Sequence, residues 1–236
     1  MSLAPSSSLL ARLGAAVVLA VVSCPATIAG VVEWKILHDQ AEAHLQRGNH
    51  EQAELFTREA LREAETSMGE FHRATELSLL RTAYVLRLRG KSEEALPFAE
   101  RAVKVSTKLH GARNPYTGIA LQNLAEVQTA RKQYSAAEAL HRKALAVFQK
   151  AYGEKHPNTA VSLHNIGAML YAQDKNKEAE KYLRRALSMK ERVLKPGSLS
   201  IAHTLDQLSI VLNAQGRQNE AEKYRLRADA IRQQLR

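Results

Sequence analysis

Cysteine is nearly absent from this chain, since Cys24 is the only one among 236 residues. The chain therefore cannot form an intrachain disulfide or a metal site built from several thiolates. Proline and glycine are also scarce, with six and eleven copies, which leaves little turn chemistry for a fold rich in β-strands. Aromatic residues make up only 5% of the sequence. Alanine, leucine and long charged side chains are abundant instead, and they favour helices because they lose little rotamer freedom there.

Motifs that carry catalysis or hold a cofactor are missing as well. The sequence has no glycine-rich phosphate loop, no His-Glu-x-x-His pair and no serine in a nucleophile elbow. His38, His44 and His50 are spaced six residues apart, and six residues rotate a helix by about 600°, so neighbours do not share a face. They are interpreted as solvated histidines of helices and turns. We predict no enzymatic activity, no cofactor, no metal and no small-molecule substrate.

Residues 1–29 are predicted to be a targeting or anchoring segment. One charge, Arg12, precedes an apolar run that ends in small residues near Ala29, a pattern typical of a signal peptide cut after Ala29. That cleavage would make the protein periplasmic or secreted. No further charge occurs for about twenty residues after Arg12, so a membrane anchor formed by residues 13–32 is the alternative. A third alternative is lipidation at Cys24, which lies in a loose lipobox match.

From Gly30 onward the sequence aligns with itself every 42 residues without gaps. The five units cover residues 30–71, 72–113, 114–155, 156–197 and 198–236. Position 8 is always leucine, in Leu37, Leu79, Leu121, Leu163 and Leu205. Position 12 is always small, in Ala41, Ala83, Ala125, Gly167 and Ser209. Positions 24 and 31 are always alanine, in Ala53, Ala95, Ala137, Ala179 and Ala221, and in Ala60, Ala102, Ala144, Ala186 and Ala228. Position 27 is large, in Phe56, Phe98, Leu140, Tyr182 and Tyr224. Agreement at a fixed period of this length indicates a repeat architecture.

The spacing that recurs in every unit predicts two packed helices. Positions 8 and 12 share one face of a first helix, and positions 24, 27 and 31 share one face of a second. Gly48, Gly90 and Gly216 are expected to end the first helices of their units. Pro115 and Pro157 are expected to begin the helices that follow the unit boundaries. Because such a pair buries its apolar face only by stacking on its neighbours, the pattern predicts an all-α solenoid of five helix–turn–helix units.

The order of leucine, small residue, alanine, bulky residue and alanine resembles the tetratricopeptide repeat. The unit length resembles the 42-residue subtype of kinesin light chains, and the likeness is clearest over residues 156–167, which read HPNTAVSLHNIG, and over 177–180, 123–125 and 134–138. The resemblance covers residues 30–236 and implies a right-handed α-solenoid. It does not extend to the coiled coil that precedes the repeats in that family, so a motor-adaptor role is not expected.

The resemblance implies a function in binding another protein. In tetratricopeptide arrays the first helices line a concave groove that holds a peptide or a helix of a partner. Carried over by position, the groove residues are His38, Glu42, Arg81, Tyr84, Arg87, Gln122, Asn123, Glu126, His164, Asn165, Tyr171, Asp206, Gln207 and Asn213. Asn123 and Asn165 match an asparagine that recurs in kinesin light chain repeats, and an amide both donates to and accepts from a peptide backbone. The chain is therefore expected to be a non-enzymatic interaction scaffold.

Position 30 of the second helices carries a row of cations, here named the basic stripe. It consists of Arg101, Lys143, Arg185 and Arg227, none of which has an acidic residue four positions earlier. We therefore expect the stripe to lack local neutralisation. Together with a formal net charge of +10, it indicates an alternative function as a membrane-held structural or assembly factor that binds an acidic partner or anionic headgroups. Nucleic acid is not an expected partner, because no aromatic residues are interleaved with the cations.

Overall fold

The computed structural model describes residues 25–234, which form ten α-helices. They are α1 (Pro25–Gln46), α2 (His50–Met68), α3 (Arg73–Leu88), α4 (Ser92–His110), α5 (Pro115–Ala130), α6 (Tyr134–Tyr152), α7 (Pro157–Tyr171), α8 (Asn176–Val193), α9 (Leu199–Ala214) and α10 (Gln218–Gln233). From α2 to α10 the even-numbered helices begin 42 residues apart, and so do α3, α5, α7 and α9. The described residues divide into two compact units between Ser78 and Leu79.

The first unit contains α1, α2 and the start of α3. Ala41, Ala53 and Ala60 are at most 1% exposed where α1 and α2 pack together. At Gly30 the two helices approach so closely that an added Cβ would lie 2.3 Å from the Cβ of Ser67. Small residues therefore allow this helix pair to pack closely.

Two histidines of the first unit differ from the prediction that they are solvated. The ring of His38 stacks on Trp34 with centroids 5.2 Å apart, and the ring of His44 stacks on Phe56 at 5.3 Å. Both histidines are half-buried. The prediction failed because sequence spacing excludes a shared metal but does not show which aromatic ring lies beside each imidazole.

The turn between the two helices of a repeat has the same geometry in all five repeats. Gly48, Gly90 and Gly216 have φ values of 74–76°, as predicted, and Lys132 and Asp174 adopt the same left-handed conformation at φ 61°. In all five turns the next residue donates its backbone N–H to the carbonyl five residues earlier, at 2.9 Å. This bond is the Schellman cap, which satisfies an orphan carbonyl at the helix end.

The first helices of the third and fourth repeats begin as predicted, at Pro115 and Pro157. The preceding residues, Asn114 and His156, act as N-caps whose side chains accept hydrogen bonds from backbone N–H groups two residues later, at 3.0 and 3.2 Å. Proline loses nothing at this position, because its missing N–H would have had no partner within the helix.

In the second compact unit, which begins at Leu79, the helix pairs stack in chain order. The alanines of positions 24 and 31 in α4, α6, α8 and α10 are at most 1% exposed. The apolar cluster of the last two repeats joins α7, α8, α9 and α10 through Ile166, Leu183, Leu205 and Ala228. Each pair therefore completes its core with residues of the next pair, which is the behaviour expected of a solenoid.

A ladder of arginine and tyrosine links successive second helices. Arg142 binds Glu138 four residues earlier and donates to the hydroxyl of Tyr182 at 2.5 Å, with its guanidinium 5.0 Å from the ring centroid. The same contacts recur 42 residues later, where Arg184 donates to Tyr224 at 2.6 Å. The intrahelical Glu–Arg pairs thus also hold the arginine that clamps the next repeat.

The predicted N-terminal segment is only partly described. Residues 1–24, which include most of the predicted anchor and the predicted lipidation site Cys24, lie outside the described residues. Helix α1 begins at Pro25 and runs through Ala29, the predicted cleavage position. Within residues 25–234, none of the helices combines the length and the apolar content needed to cross a membrane.

Candidate functional site

Three of the predicted groove residues meet at one cavity in the second unit. Arg87 of α3, Glu126 of α5 and Asn165 of α7 line a space of about 300 Å³. The rest of its lining comes from Thr129, Ala130, His141, Ala168 and Met169. The cavity therefore draws side chains from three successive repeats.

An ion pair forms one wall of this cavity. The Nη2 atom of Arg87 lies 2.9 Å from Oε2 of Glu126. The Arg87 guanidinium also lies 5.2 Å from the ring centroid of Tyr84, and Arg81 approaches the same ring at 5.8 Å. Glu126 is 44% exposed, so the pair contributes little to stability. Its main effect is to hold the guanidinium in place.

The two predicted groove asparagines have different surroundings. The Nδ2 atom of Asn123 donates to the carbonyl of Leu80 at 3.4 Å, whereas its Oδ1 is buried and has no hydrogen-bond partner among the described residues. Asn165 is half-buried and lines the cavity. Gln122 donates to the hydroxyl of Ser162 at 3.1 Å. An amide is thus available at Asn165, while Asn123 and Gln122 already contact neighbouring helices.

His141 of α6 lines the same cavity, although it was not among the predicted site residues. It is 2% exposed, and its Nδ1 has no hydrogen-bond partner among the described residues. Burial lowers the pKa of His141 to about 4, so the ring is neutral at pH 7. Position 28 holds Ala99 and Leu183 in the neighbouring repeats, and this break in the column is the signal that could have identified it.

His164 is held inside the stack. Its Nδ1 lies 3.2 Å from the hydroxyl of Thr204, which in turn accepts a hydrogen bond from Nζ of Lys190 at 2.8 Å. Lys190 also donates to the carbonyl of Ser200 at 3.0 Å and is 2% exposed. Burial lowers the pKa of Lys190 to about 8. Burial, followed by the nearby charge of Lys190, lowers the pKa of His164 to about 3.

Lys190 was also missed by the sequence analysis. Position 35 holds Ala64, Ser106 and Phe148 in the first three repeats, so a lysine there departs from a buried column. The departure could have marked an internal polar network, because buried lysines are rare unless they have hydrogen-bond partners.

The remaining predicted groove residues lie outside the cavity lining. Tyr171 packs against the apolar cluster of the last two repeats, and Asp206 forms an ion pair with Arg232. Gln207 is half-buried and Asn213 is exposed. The first unit holds the other two, His38 and Glu42. Their assignment to a binding groove stays a prediction.

The basic stripe is only partly free of acidic neighbours. Arg227 donates to Oε1 of Glu191 at 2.6 Å, so the prediction that it lacks local neutralisation was wrong. The acid lies on α8, 36 residues earlier, and spacing within one helix cannot find it. Lys143 and Arg185 are exposed and have no ion-pair partner among the described residues. Arg185 lines a surface cavity of about 400 Å³ together with Lys155, Arg184, Arg192 and others.

Over residues 25–234, no three side chains of histidine, cysteine, aspartate or glutamate converge as metal ligands do.

Sequence comparison matches the chain to the tetratricopeptide repeat. The family model matches residues 75–150, 119–192 and 167–234, which overlap to cover more than half of the chain. Among curated proteins, none matches the chain.

Solved structures of three other proteins share this fold. BtubC (BKLC) from P. vanneervenii is 24% identical with a TM-score of 0.70, over 83% of this chain and 78% of that one. A putative kinesin light chain with nearly identical TPR-like repeats from Podosopora anserina is 20% identical with a TM-score of 0.71, over 86% and 96%. A Rap protein complexed with Competence and Sporulation Factor is 18% identical with a TM-score of 0.69, over 86% of this chain and 55% of that one. At these identities the likeness shows the fold alone.

Proposed function

This chain belongs to the tetratricopeptide repeat family, and from that premise we propose that it is a non-enzymatic scaffold that binds a segment of another protein along its first helices. The observation that carries the proposal is the cavity where Arg87, Glu126 and Asn165 meet. Its polar groups come from three repeats, so a bound segment would contact several units at once. The Rap protein of similar fold is complexed with a factor, which supports this use of the architecture.

The proposed groove has the chemistry needed to hold an extended segment. Asn165 offers an amide that both donates and accepts, and Arg87 is a donor held by Glu126 at 2.9 Å. Such groups bind a peptide backbone without depending on its side chains, and neighbouring pockets then add selectivity. The partner expected from these groups is a protein segment.

The test compares the proteins that co-purify from native cells with the natural chain and with a variant that combines Arg87→Ala, Asn123→Ala and Asn165→Ala. A partner retained by the natural chain is expected to be lost. Lys150→Ala is the matched control, because Lys150 is exposed on a second helix and belongs to neither proposed binding surface. Circular dichroism must show that each variant is folded. Retention of the same partners by the folded triple variant would show that the groove is assigned wrongly.

A second candidate function uses the basic stripe. The exposed side chains of Lys143 and Arg185 favour a role in binding an anionic surface, as does the cavity that Arg185 shares with Lys155, Arg192 and a single acid, Glu154. In this alternative the protein is a membrane-held structural or assembly factor. Charge reversal at Arg101, Lys143 and Arg185 is expected to abolish sedimentation with vesicles of phosphatidylglycerol while groove binding is kept. Unchanged sedimentation would exclude this function.

Export with cleavage near Ala29 is the proposed route to the compartment of action, and retention of residues 13–32 as an anchor is the alternative. The anchor gains support from the surface of α1, where Ile28, Val31 and Val32 are 59%, 42% and 54% exposed. Exposed apolar side chains continuous with an uncharged segment fit a membrane better than water. Sequencing the N-terminus of the mature protein separates the two, because cleavage leaves Gly30 as the first residue.

A further inference from the structure

His141 is a buried polar side chain that groove binding alone does not explain. A buried polar atom without a partner costs about 1–3 kcal/mol, and Nδ1 of His141 is such an atom. The neighbouring repeats hold Ala99 and Leu183 at the same position. The fold therefore accepts an apolar residue at this place, and the imidazole is not needed for packing.

The cavity beside His141 is lined by a small residue of the fourth repeat. Position 13 is Ala168 in the fourth repeat, whereas the second, third and fifth repeats carry Tyr84, Glu126 and Ile210. The space there is about 300 Å³, which is at the lower end of the volumes of ligand pockets. The space is large enough for one side chain of a bound segment and the peptide bond next to it.

The lining combines apolar surface with donors and acceptors. Ala130, Ala168 and Met169 supply apolar surface. Asn165 is half-buried and lines the cavity, and its amide offers both a donor and an acceptor. Burial lowers the pKa of His141 to about 4, so the neutral ring adds one donor and one acceptor at pH 7.

The charges at the cavity argue against a charged occupant. Arg87 and Glu126 are already paired at 2.9 Å. A ligand carboxylate would face Glu126, and a ligand ammonium would face Arg87, so either charge would have to separate the pair. A purely apolar group would leave the polar atoms of His141 and Asn165 without partners. A neutral group that both donates and accepts satisfies these atoms and leaves the ion pair intact.

We propose that this cavity binds the carboxamide side chain of an asparagine or glutamine in the partner segment, with His141 and Asn165 as the residues that select it. The inference rests on the proposed groove function and names the chemistry that the groove recognises. The carboxamide places its apolar stem against Met169 and its amide against the two polar side chains.

The test titrates the full chain with acetylated and amidated pentapeptides of the form Ala-Ala-Xaa-Ala-Ala. Glutamine and asparagine at Xaa are compared with glutamate, leucine and lysine, of which the first two closely match the amides in shape. Nuclear magnetic resonance of the His141 ring, assigned by its loss in His141→Leu, reports occupancy. The glutamine and asparagine peptides are expected to bind at least about tenfold more tightly than the other three, a difference in binding free energy of about 1.4 kcal/mol. They are also expected to shift the His141 signal.

Two variants test whether the cavity is responsible. His141→Leu, which copies Leu183 of the next repeat, is expected to reduce the preference to about twofold or less. Ala168→Tyr, which copies Tyr84, fills the space and is expected to abolish peptide binding. Lys150→Ala, at an exposed position of α6 outside both proposed binding surfaces, is expected to keep the full preference. If one variant does not fold, the other still provides the test.

The results also separate this inference from the groove function. Equal binding of all five peptides, or tightest binding of the glutamate or lysine peptide, overturns carboxamide selection, and the groove function then stands or falls by the co-purification of the triple variant. A His141 signal that no peptide shifts also overturns the inference. Loss of the native partner from the triple variant in that case would show that the groove binds by other contacts.

Discussion

Lowering the pH from 7.5 to 5 is expected to destabilise the fold through His141. Burial lowers the pKa of this histidine from 6.5 to about 4. As the pH falls through 6.5, the unfolded chain gains a proton at this residue and the folded chain does not. The unfolded state then binds more protons, so the free energy of unfolding decreases as the pH falls. The loss would be complete only below pH 4.

The magnitude follows from these two pKa values. At pH 5 the unfolded histidine is almost fully protonated and the folded one is about nine-tenths neutral, which corresponds to a loss of about 2 kcal/mol. His164 adds a loss of the same sign, because burial and Lys190 lower its pKa to about 3. Burial alone would raise the pKa of Glu138, but hydrogen bonds from Arg142 and Gln173 lower it overall. Glu138 therefore titrates below this pH window.

Urea unfolding followed by circular dichroism at pH 7.5 and pH 5 measures the effect. In His141→Leu the loss of stability over this range is expected to be about 2 kcal/mol smaller than in the natural chain. Lys143→Ala is the control, because Lys143 is an exposed residue of the same helix. An equal loss in the natural chain and in His141→Leu would refute the reasoning, since it would mean that the folded protein does not keep this histidine neutral.

Three further changes test the packing and the internal polar contacts. Gly167→Ala is expected to destabilise the fold by about 1–2 kcal/mol in urea unfolding, because the new Cβ would lie 2.7 Å from Cγ of Leu183; a gain from the better helix propensity of alanine would contradict this. The free energy of unfolding of the natural chain is expected to rise by up to about 3 kcal/mol between pH 8 and 10.5, because burial lowers the pKa of Lys190 to about 8 and the unfolded state then binds more protons. The same rise in Lys190→Met would show that another group causes it. Tyr224→Phe removes the hydroxyl that accepts a hydrogen bond from Arg184 at 2.6 Å and is expected to lower the free energy of unfolding by about 1 kcal/mol. A double-mutant cycle with Arg184→Lys that shows no coupling would disprove this link between the two repeats.

Regular local patterns made the helix pairs predictable. The alanine columns marked the close contacts, and the positions of Pro115 and Pro157 marked two helix starts that the structure confirms. Two turn residues were harder to recognise, because Lys132 and Asp174 adopt the conformation of the glycines in the equivalent turns. The capping hydrogen bond at 2.9 Å accompanies that conformation in every repeat, although lysine rarely adopts it and aspartate adopts it less readily than glycine does.

The candidate site was less predictable, since its properties depend on residues from different repeats. The pairing of Arg227 with Glu191 joins α10 to α8, and spacing along one helix does not show it. The groove columns correctly placed Arg87, Glu126 and Asn165 on first helices, but they did not show that these three meet at one cavity. His141 was missed because it belongs to a second helix, whose columns were interpreted as packing.

The sequence by itself determined the repeat, its 42-residue period and its assignment to a helix-pair fold, because these follow from which side chains recur on each helix face. Tertiary structure alone decided that Ala168 lines a cavity, that His141 lies buried beside it and that Arg87 reaches Glu126. The physical reason is that burial, and the pKa changes that follow from it, are set by neighbours about 40 residues away in the chain, and periodicity does not reveal what those neighbours leave empty.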